Sequence, residues 1–306
     1  MTASRTKKST IVRSIFIGAT AATFRIGELI SPALTAAAAT RLWFRLPVSP
    51  KRRRRAIAPA DAAQFHIDCE GTRVWGYDWG EGPLAYLVHG WGGNVGDFDV
   101  VAACLRANGW RVVAVDAPSH GNSEPGPFGP RASSPPQIAA TLRAAVDKFG
   151  EPDAVVAHSM GCLAAVLALR ETARPRRLVL AAPVASAPTV METFARVLGI
   201  GPRTFARFRA AAEARVGKPT SCFRIDEPPL DVPTLVVHDR GDRQTPIRHG
   251  ERIVESWPAA RLHRTEGLGH MRILRQPTTV GQIAAFLRAG RPNVSDSPDR
   301  SAGLGG

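Results

Sequence analysis

The chain has 306 residues, 44% hydrophobic and 22% charged, with a formal net charge of +14. That length and apolar content suit one large α/β domain with appendages. Twelve of the 40 basic residues but only one of the 26 acids lie in the first 55 positions, leaving 28 basic to 25 acidic, so the body is near neutral and offers no nucleic-acid footprint. The four cysteines (Cys69, Cys104, Cys162 and Cys222) have no metal-like spacing and read as reduced packing residues of a cytoplasmic protein.

The basic residues gather in an N-terminal arm, residues 1–59. Ile11 to Leu46 is apolar and Ala-rich, but Arg13, Arg25, Glu28, Pro32 and Arg41 break it. Its longest uncharged stretches, residues 14–24 and 29–40, fall short of the ~20 residues a membrane span needs. Lys7 and Lys8 before an apolar stretch, with small residues at Ala36 to Ala38, have the elements of an export signal, yet Arg25 and Glu28 interrupt it. Lys51, Arg52, Arg53, Arg54 and Arg55 follow Trp43, Phe44 and Leu46, an order that suits an interfacial helix on an anionic membrane surface. The same residues also suit a solvated charge run beside a helix packed on the domain. The run is short and lacks interleaved aromatics, which argues against nucleic acid. The expectation is a cytoplasmic protein, peripheral at a membrane through the arm.

The body, residues 60–290, opens with an alternating stretch, Phe65 to Asp78, folded about Glu70-Gly71 as a hairpin. Leu84 to Val88, Val112 to Val115, Ala154 to Ala157, Leu178 to Ala182 and Thr234 to Val237 are apolar without alternation. Such runs mark parallel strands buried on both faces. Helices are predicted between them: Asp99 to Ala107, stopped by Asn108-Gly109, then Pro136 to Phe149, Cys162 to Glu171 and finally Gly281 to Ala289. The expected class is therefore α/β, a mostly parallel central sheet flanked by helices. Residues 184–230 interrupt the alternation with Phe194, Leu198, Phe205 and Phe208 at helical spacing, and read as a small helical cap. The tail, residues 291–306, is rich in Ser, Pro and Gly and is expected to be disordered.

One run carries chemistry. Ala154-Val-Val-Ala-His-Ser-Met-Gly-Cys breaks a β-branched stretch at Ser159, with small residues two positions before and after it, and an Ala/Leu-rich helical pattern follows at once. Such a turn puts a serine hydroxyl at the tip of a sharp bend, although a serine there is also an ordinary cap. A serine nucleophile needs a base. His270 follows Gly267-Leu-Gly, a loop able to carry an imidazole over the sheet edge, whereas His89 and His158 belong to turn motifs and His238 ends a strand.

These segments, together with Leu87-Val-His-Gly-Trp-Gly-Gly, Val115-Asp-Ala-Pro-Ser-His-Gly and Val237-His-Asp-Arg-Gly-Asp, fall in the order of the α/β-hydrolase fold superfamily. The chain resembles that superfamily over Ala63 to Gly290, and within it the small bacterial serine hydrolases of the esterase, lipase and thioesterase type. Ala157 departs from the usual glycine of the elbow by one methyl group. The resemblance implies a catalytic set of Ser159, Asp242 and His270, with Asp239 as the competing acid. It implies an oxyanion hole from the backbone N–H groups of Trp91 and Met160. The apolar residues of the cap, Phe194 and Leu198 among them, read first as the cap's own packing, with some of them and Met271 lining an acyl pocket. A serine nucleophile disfavours the dehalogenase and epoxide-opening chemistries of the fold, which use aspartate. No cofactor or metal is implied. The expected activity is cleavage of a carboxylic ester or thioester through an acyl-enzyme. Acyl transfer by the same residues, or a non-catalytic binding module tethered by its arm, are the alternatives.

Overall fold

The computed structural model describes residues 20–47 and 61–289. The Lys51–Arg55 run, the start of the arm and the tail at 291–306 lie outside the described residues. Eight strands form one sheet: β1 (Ala63–Cys69), β2 (Thr72–Trp79), β3 (Leu84–Val88), β4 (Arg111–Val115), β5 (Ala154–His158), β6 (Arg177–Ala181), β7 (Thr234–Asp239) and β8 (Ala260–Thr265). Their spatial order is β1-β2-β4-β3-β5-β6-β7-β8. The hairpin β1–β2 and the β2–β4 pair are antiparallel, and every pair from β4 to β8 is parallel.

The absence of alternation in the central strands has a direct cause. Tyr86, Val88, Val113, Val155 and Ala157 feed one apolar layer, while their neighbours Ala85, Leu87, Val112, Ala154 and Val156 feed the other. On the first face lie the helices α3 (Pro135–Phe149) and α4 (Met160–Leu169) and, further along, α7 (Arg248–Ser256). On the second lie α2 (Asp99–Ala107) and α9 (Pro277–Arg288). Strands covered on both sides must be apolar on both sides. Helix α9 starts four residues before the expected Gly281, because Pro277 serves as a first-turn residue that needs no N–H partner. Among the described residues no helix is long and apolar enough to cross a membrane.

Between β6 and β7 the chain leaves the sheet. Ser186 caps α5 (Ala187–Leu198) by accepting the Thr189 N–H, the chain turns at Gly199 to Gly201, and α6 (Pro202–Val216) returns. The arm packs on this insertion. Residues 20–30 are helical, and α1 (Pro32–Trp43) follows with Ser31 as its cap. The Glu28 carboxylate accepts the Arg203 and Thr204 N–H groups at 3.2 and 3.0 Å. It thereby satisfies orphan donors at the positive end of α6. Trp43 sets its ring edge-on to Phe194 and Phe208, with centroids 5.3 and 5.9 Å apart. Further along, the Arg215 guanidinium covers the Phe44 and Phe128 rings at 5.1 and 4.9 Å.

Phe24, Ala36, Ala39, Phe44, Met191, Leu198 and Phe208 thus form a third apolar cluster, separate from the two sheet layers. Trp43 is the ring that joins arm to insertion. We expect Trp43→Ala to lower the unfolding free energy by about 3 kcal/mol, the cost of deleting a packed indole, measured by urea denaturation.

Candidate active site

Strand β5 ends at His158 and α4 begins at Met160, so Ser159 alone makes the turn. Its backbone is held at φ 57°, ψ −123°, a region that costs a residue with a side chain about 1–3 kcal/mol. Three backbone bonds hold it there. Ser159 N–H donates to Ala181 O at 2.9 Å, and Ser159 O accepts from Cys162 and Val184 N–H at 3.1 and 3.2 Å. Gly161 has no room for a side chain: a Cβ there would lie 2.4 Å from His89 O and 2.5 Å from Val88 O. Gly90 faces the same crowding, with a Cβ falling 2.8 Å from Ser159 Cβ. The two turn motifs therefore touch, and the glycines mark where they do.

The structure brings Ser159, His270 and Asp242 into one relay. His270 Nε2 lies 2.9 Å from Ser159 Oγ, and His270 Nδ1 lies 2.7 Å from Asp242 Oδ2. The carboxylate partner assigns the proton to Nδ1 and leaves the Nε2 lone pair facing the serine hydroxyl. The Asp242 side chain is fully buried and that of His270 is 7% exposed. Burial works against charge on Asp242. The His238 and His270 N–H groups, the charge of a protonated His270 and the Thr245 amide outweigh it, and hold the carboxyl well below the usual carboxylate range. Its other oxygen accepts the Gln244 and Thr245 N–H groups at 2.8 and 3.0 Å.

Asp239, the competing acid, is turned elsewhere. It accepts from Gly241 N–H, Thr265 Oγ1–H and Leu268 N–H at 2.9, 3.0 and 2.8 Å. It therefore ties down the loop that leads to His270. His270 sits in a short helix, α8 (Gly269–Arg272), and the Arg272 side chain donates back to Gly267 O and Leu268 O.

Met160 follows Ser159 directly, and Trp91 follows Gly90, the residue packed against the Ser159 side chain. Gly93 N–H closes the Gly90 turn at 2.9 Å, and among the described residues no acceptor takes the backbone N–H of Trp91 or Met160. Met271, next to His270, is half-buried. Phe194 and Leu198 pack in the cluster between arm and insertion, where Phe194 meets Trp43 and Phe208.

Several neighbours of the site make contacts that the sequence does not specify. His158 Nε2–H donates to His270 O at 2.9 Å, so the residue before the serine holds the backbone of the imidazole. His238 Nε2–H donates to Thr245 O at 2.8 Å and lies 3.7 Å from Asp242 Oδ2, presenting its positive edge to the carboxylate. His89 donates through Nδ1–H to Gly90 O at 2.9 Å and accepts Ala117 N–H on Nε2 at 3.0 Å. The arm also reaches the Gly-rich loop: the Trp91 indole N–H donates to Arg45 O at 3.3 Å, and a Cβ on Gly92 would meet the Pro47 ring at 2.9 Å.

Residues 85–282 match the Alpha/beta hydrolase family. The chain belongs to that family. A serine hydrolase-like protein of Danio rerio is 35% identical over 102 residues, 33% of this chain and 31% of its own. A pimeloyl-[acyl-carrier protein] methyl ester esterase of Neisseria meningitidis is 38% identical over 101 residues, 33% of this chain and 36% of its own. The chain spans about a third of the length of these curated relatives. Two solved structures share the fold across most of the α/β hydrolase. One is a thermophilic esterase of Thermogutta terrifontis (TM-score 0.57, 18% identity, 76% of this chain and 100% of that one). The other is a meta-cleavage product hydrolase of Pseudomonas fluorescens IP01 (TM-score 0.58, 18% identity, 76% and 100%).

Two expectations come from this geometry. His158→Leu removes the bond to His270 O, so kcat on an ester substrate falls by about 10²-fold while KM stays within about twofold, as for a small misplacement of a reacting group. The second concerns His249, buried on α7, whose Nδ1 accepts the Ala185 N–H. Burial, followed by the Arg248, His238 and Arg252 charges, pushes its imidazole from 6.5 down to about 4 against a partial pull from Asp226. The unfolded chain protonates this ring below 6.5 and the folded one only near 4. Stability is therefore complete above the first value and falls by up to about 3 kcal/mol as pH drops through the window. Urea denaturation across that range checks it: His249→Gln should flatten the slope.

Proposed function

We propose that this chain is a serine hydrolase that cleaves a carboxylic ester or thioester through an acyl-enzyme on Ser159. The observation that carries the reading is the Ser159–His270–Asp242 relay, with contacts of 2.9 and 2.7 Å, at a strained turn whose next backbone N–H is unpaired among the described residues. The esterase named among the relatives acts on an ester, which favours the same bond class here.

The steps follow from the proton positions. His270 Nε2 takes the Ser159 Oγ proton as Oγ attacks the acyl carbon, and the carbonyl electron pair moves onto oxygen. The backbone N–H groups of Met160 and Trp91 receive that oxyanion. Asp242 stays ionised and stabilises the imidazolium, since its carboxyl is held well below the usual range. The tetrahedral adduct collapses, and Nε2–H protonates the departing alkoxide or thiolate. Water then gives its proton to Nε2 and attacks the acyl-enzyme, and collapse returns Ser159 and a free carboxylic acid.

The His238 edge 3.7 Å from Asp242 favours an ionised acid through the whole cycle. Acyl transfer would use the same residues with an alcohol or amine in place of water.

The test is burst kinetics on p-nitrophenyl esters of increasing chain length. Ser159→Ala is expected to lower kcat by 10³-fold or more, and Asp242→Asn by roughly 10³ to 10⁴-fold through the wrong imidazole tautomer. A fluorophosphonate should label wild-type Ser159 and not the alanine variant. A wild type that neither turns over any ester nor takes the label would refute the reading and favour a binding module.

A further inference from the structure

Residues 20–43 show solvent a face that neither the fold nor the chemistry uses. Ile26 is 57% exposed, Leu29 79%, Ile30 78% and Leu34 74%. The remaining exposed large hydrophobics of the described residues are Leu42, on the same arm, and Val197, on the α5 helix beside it. Their confinement to one side of the molecule is what distinguishes them from scattered surface apolar residues.

Helical spacing explains the face. Ile26, Leu29 and Ile30 stand at i, i+3 and i+4 of the first helix, and Leu34, Ala37, Ala38 and Leu42 continue the pattern on α1. The opposite sides, with Phe24, Ala36 and Ala39, are buried against the insertion. Both sides of these helices are thus apolar, and among the described residues nothing covers one of them.

Charge indicates what covers it. The single acid of the first 55 residues is Glu28. It is turned inward onto the α6 N-terminus, its side chain 12% exposed. Glu213 of α6 is engaged by the N–H and hydroxyl of Thr220. Arg25 and Arg41 of the arm, and Arg203, Arg207 and Arg209 of α6, remain exposed; on α5 and α6 the only exposed acid is Glu192. The apolar face is therefore bordered by cations. A second copy of this chain would bring the same arginines face to face, which like-charge repulsion opposes. An anionic lipid surface matches both the apolar centre and the cationic border.

We propose that this face docks on an anionic bilayer surface, with Leu29, Ile30 and Leu34 entering the headgroup–acyl boundary and the arginines meeting lipid phosphates. The helices lie along the surface, as their length and broken hydropathy require.

The experiment is co-sedimentation of the full chain with vesicles of phosphatidylcholine alone and with about one-third phosphatidylglycerol. Wild type is expected to sediment with the anionic vesicles only, and Leu29→Ser/Leu34→Ser to lower the partition about tenfold or more. Thermal unfolding followed by circular dichroism is the control. Both leucines are exposed, so the midpoint should not move, and the readout does not depend on whether Ser159 turns over an ester. Three outcomes would overturn the proposal: no sedimentation with either vesicle; equal sedimentation of wild type and variant, which leaves binding to cations alone; or a dimer in light scattering that the same substitutions dissolve.

Discussion

The site hangs on one backbone bend. With Ser159 at φ 57°, its side chain leaves the sheet at the carboxyl end of β5, where the parallel strands β3, β6 and β7 also end. Ligand sites of open α/β sheets form at that edge. The bend is affordable because the sheet continues past it through Ser159 N–H to Ala181 O, and because α4 is apolar on nearly every side. A helix so uniformly apolar belongs in the middle of a protein, and burying it between the sheet and α3 offsets the local strain. Gly161 and Gly90 then let the β3 and β5 turns close to backbone contact, which brings the Gly-rich loop that carries Trp91 against the turn at Ser159.

The polar groups around the bend form a second layer with one logic. Each buried acid faces more than one donor. Asp242 takes two backbone N–H groups on one oxygen and His270 on the other; Asp239 takes the amides of Gly241 and Leu268; Asp116 takes the amides of Val95 and Asn122. Charges held this way stay ionised despite burial in the first two cases, while at Asp116 burial prevails and its carboxyl is pushed up. The difference follows position. Asp116 lies deep beneath the Gly-rich loop and braces it, whereas Asp242 meets an imidazole that can take up a proton.

Much of this architecture was legible in the residues, for physical reasons. Continuous apolar runs announce strands covered on both faces, and their spacing announced helices between them. The strand-to-helix break at Ser159 was legible because its flanking small residues answer to backbone contact rather than to side-chain packing. Long-range pairings had no such trace. Nothing local says that His158 holds the carbonyl of a residue 112 positions away, or that His238 turns its edge to Asp242. The aromatic spacing of Phe194 and Leu198 was visible, but periodicity tells only that a face is apolar. It does not say whether substrate or another helix covers that face. Here Trp43 and Phe24 cover it.

That covering changes the standing of the arm. By composition it is an appendage, cationic and set apart from a near-neutral body. In the fold it is a strut: Glu28 neutralises the start of α6, Trp43 fills the space against α5 and α6, Leu46 N–H donates to Arg131 O at 2.8 Å, and Arg45 O accepts the Trp91 indole. Turning the arm's only acid inward does two things with one residue. It satisfies a helix end that would otherwise present bare N–H groups, and it strips negative charge from the outer face. The inner contacts therefore account for why the outer face is both apolar and cationic, and they link that face through a few residues of extended chain to the loop beside Ser159.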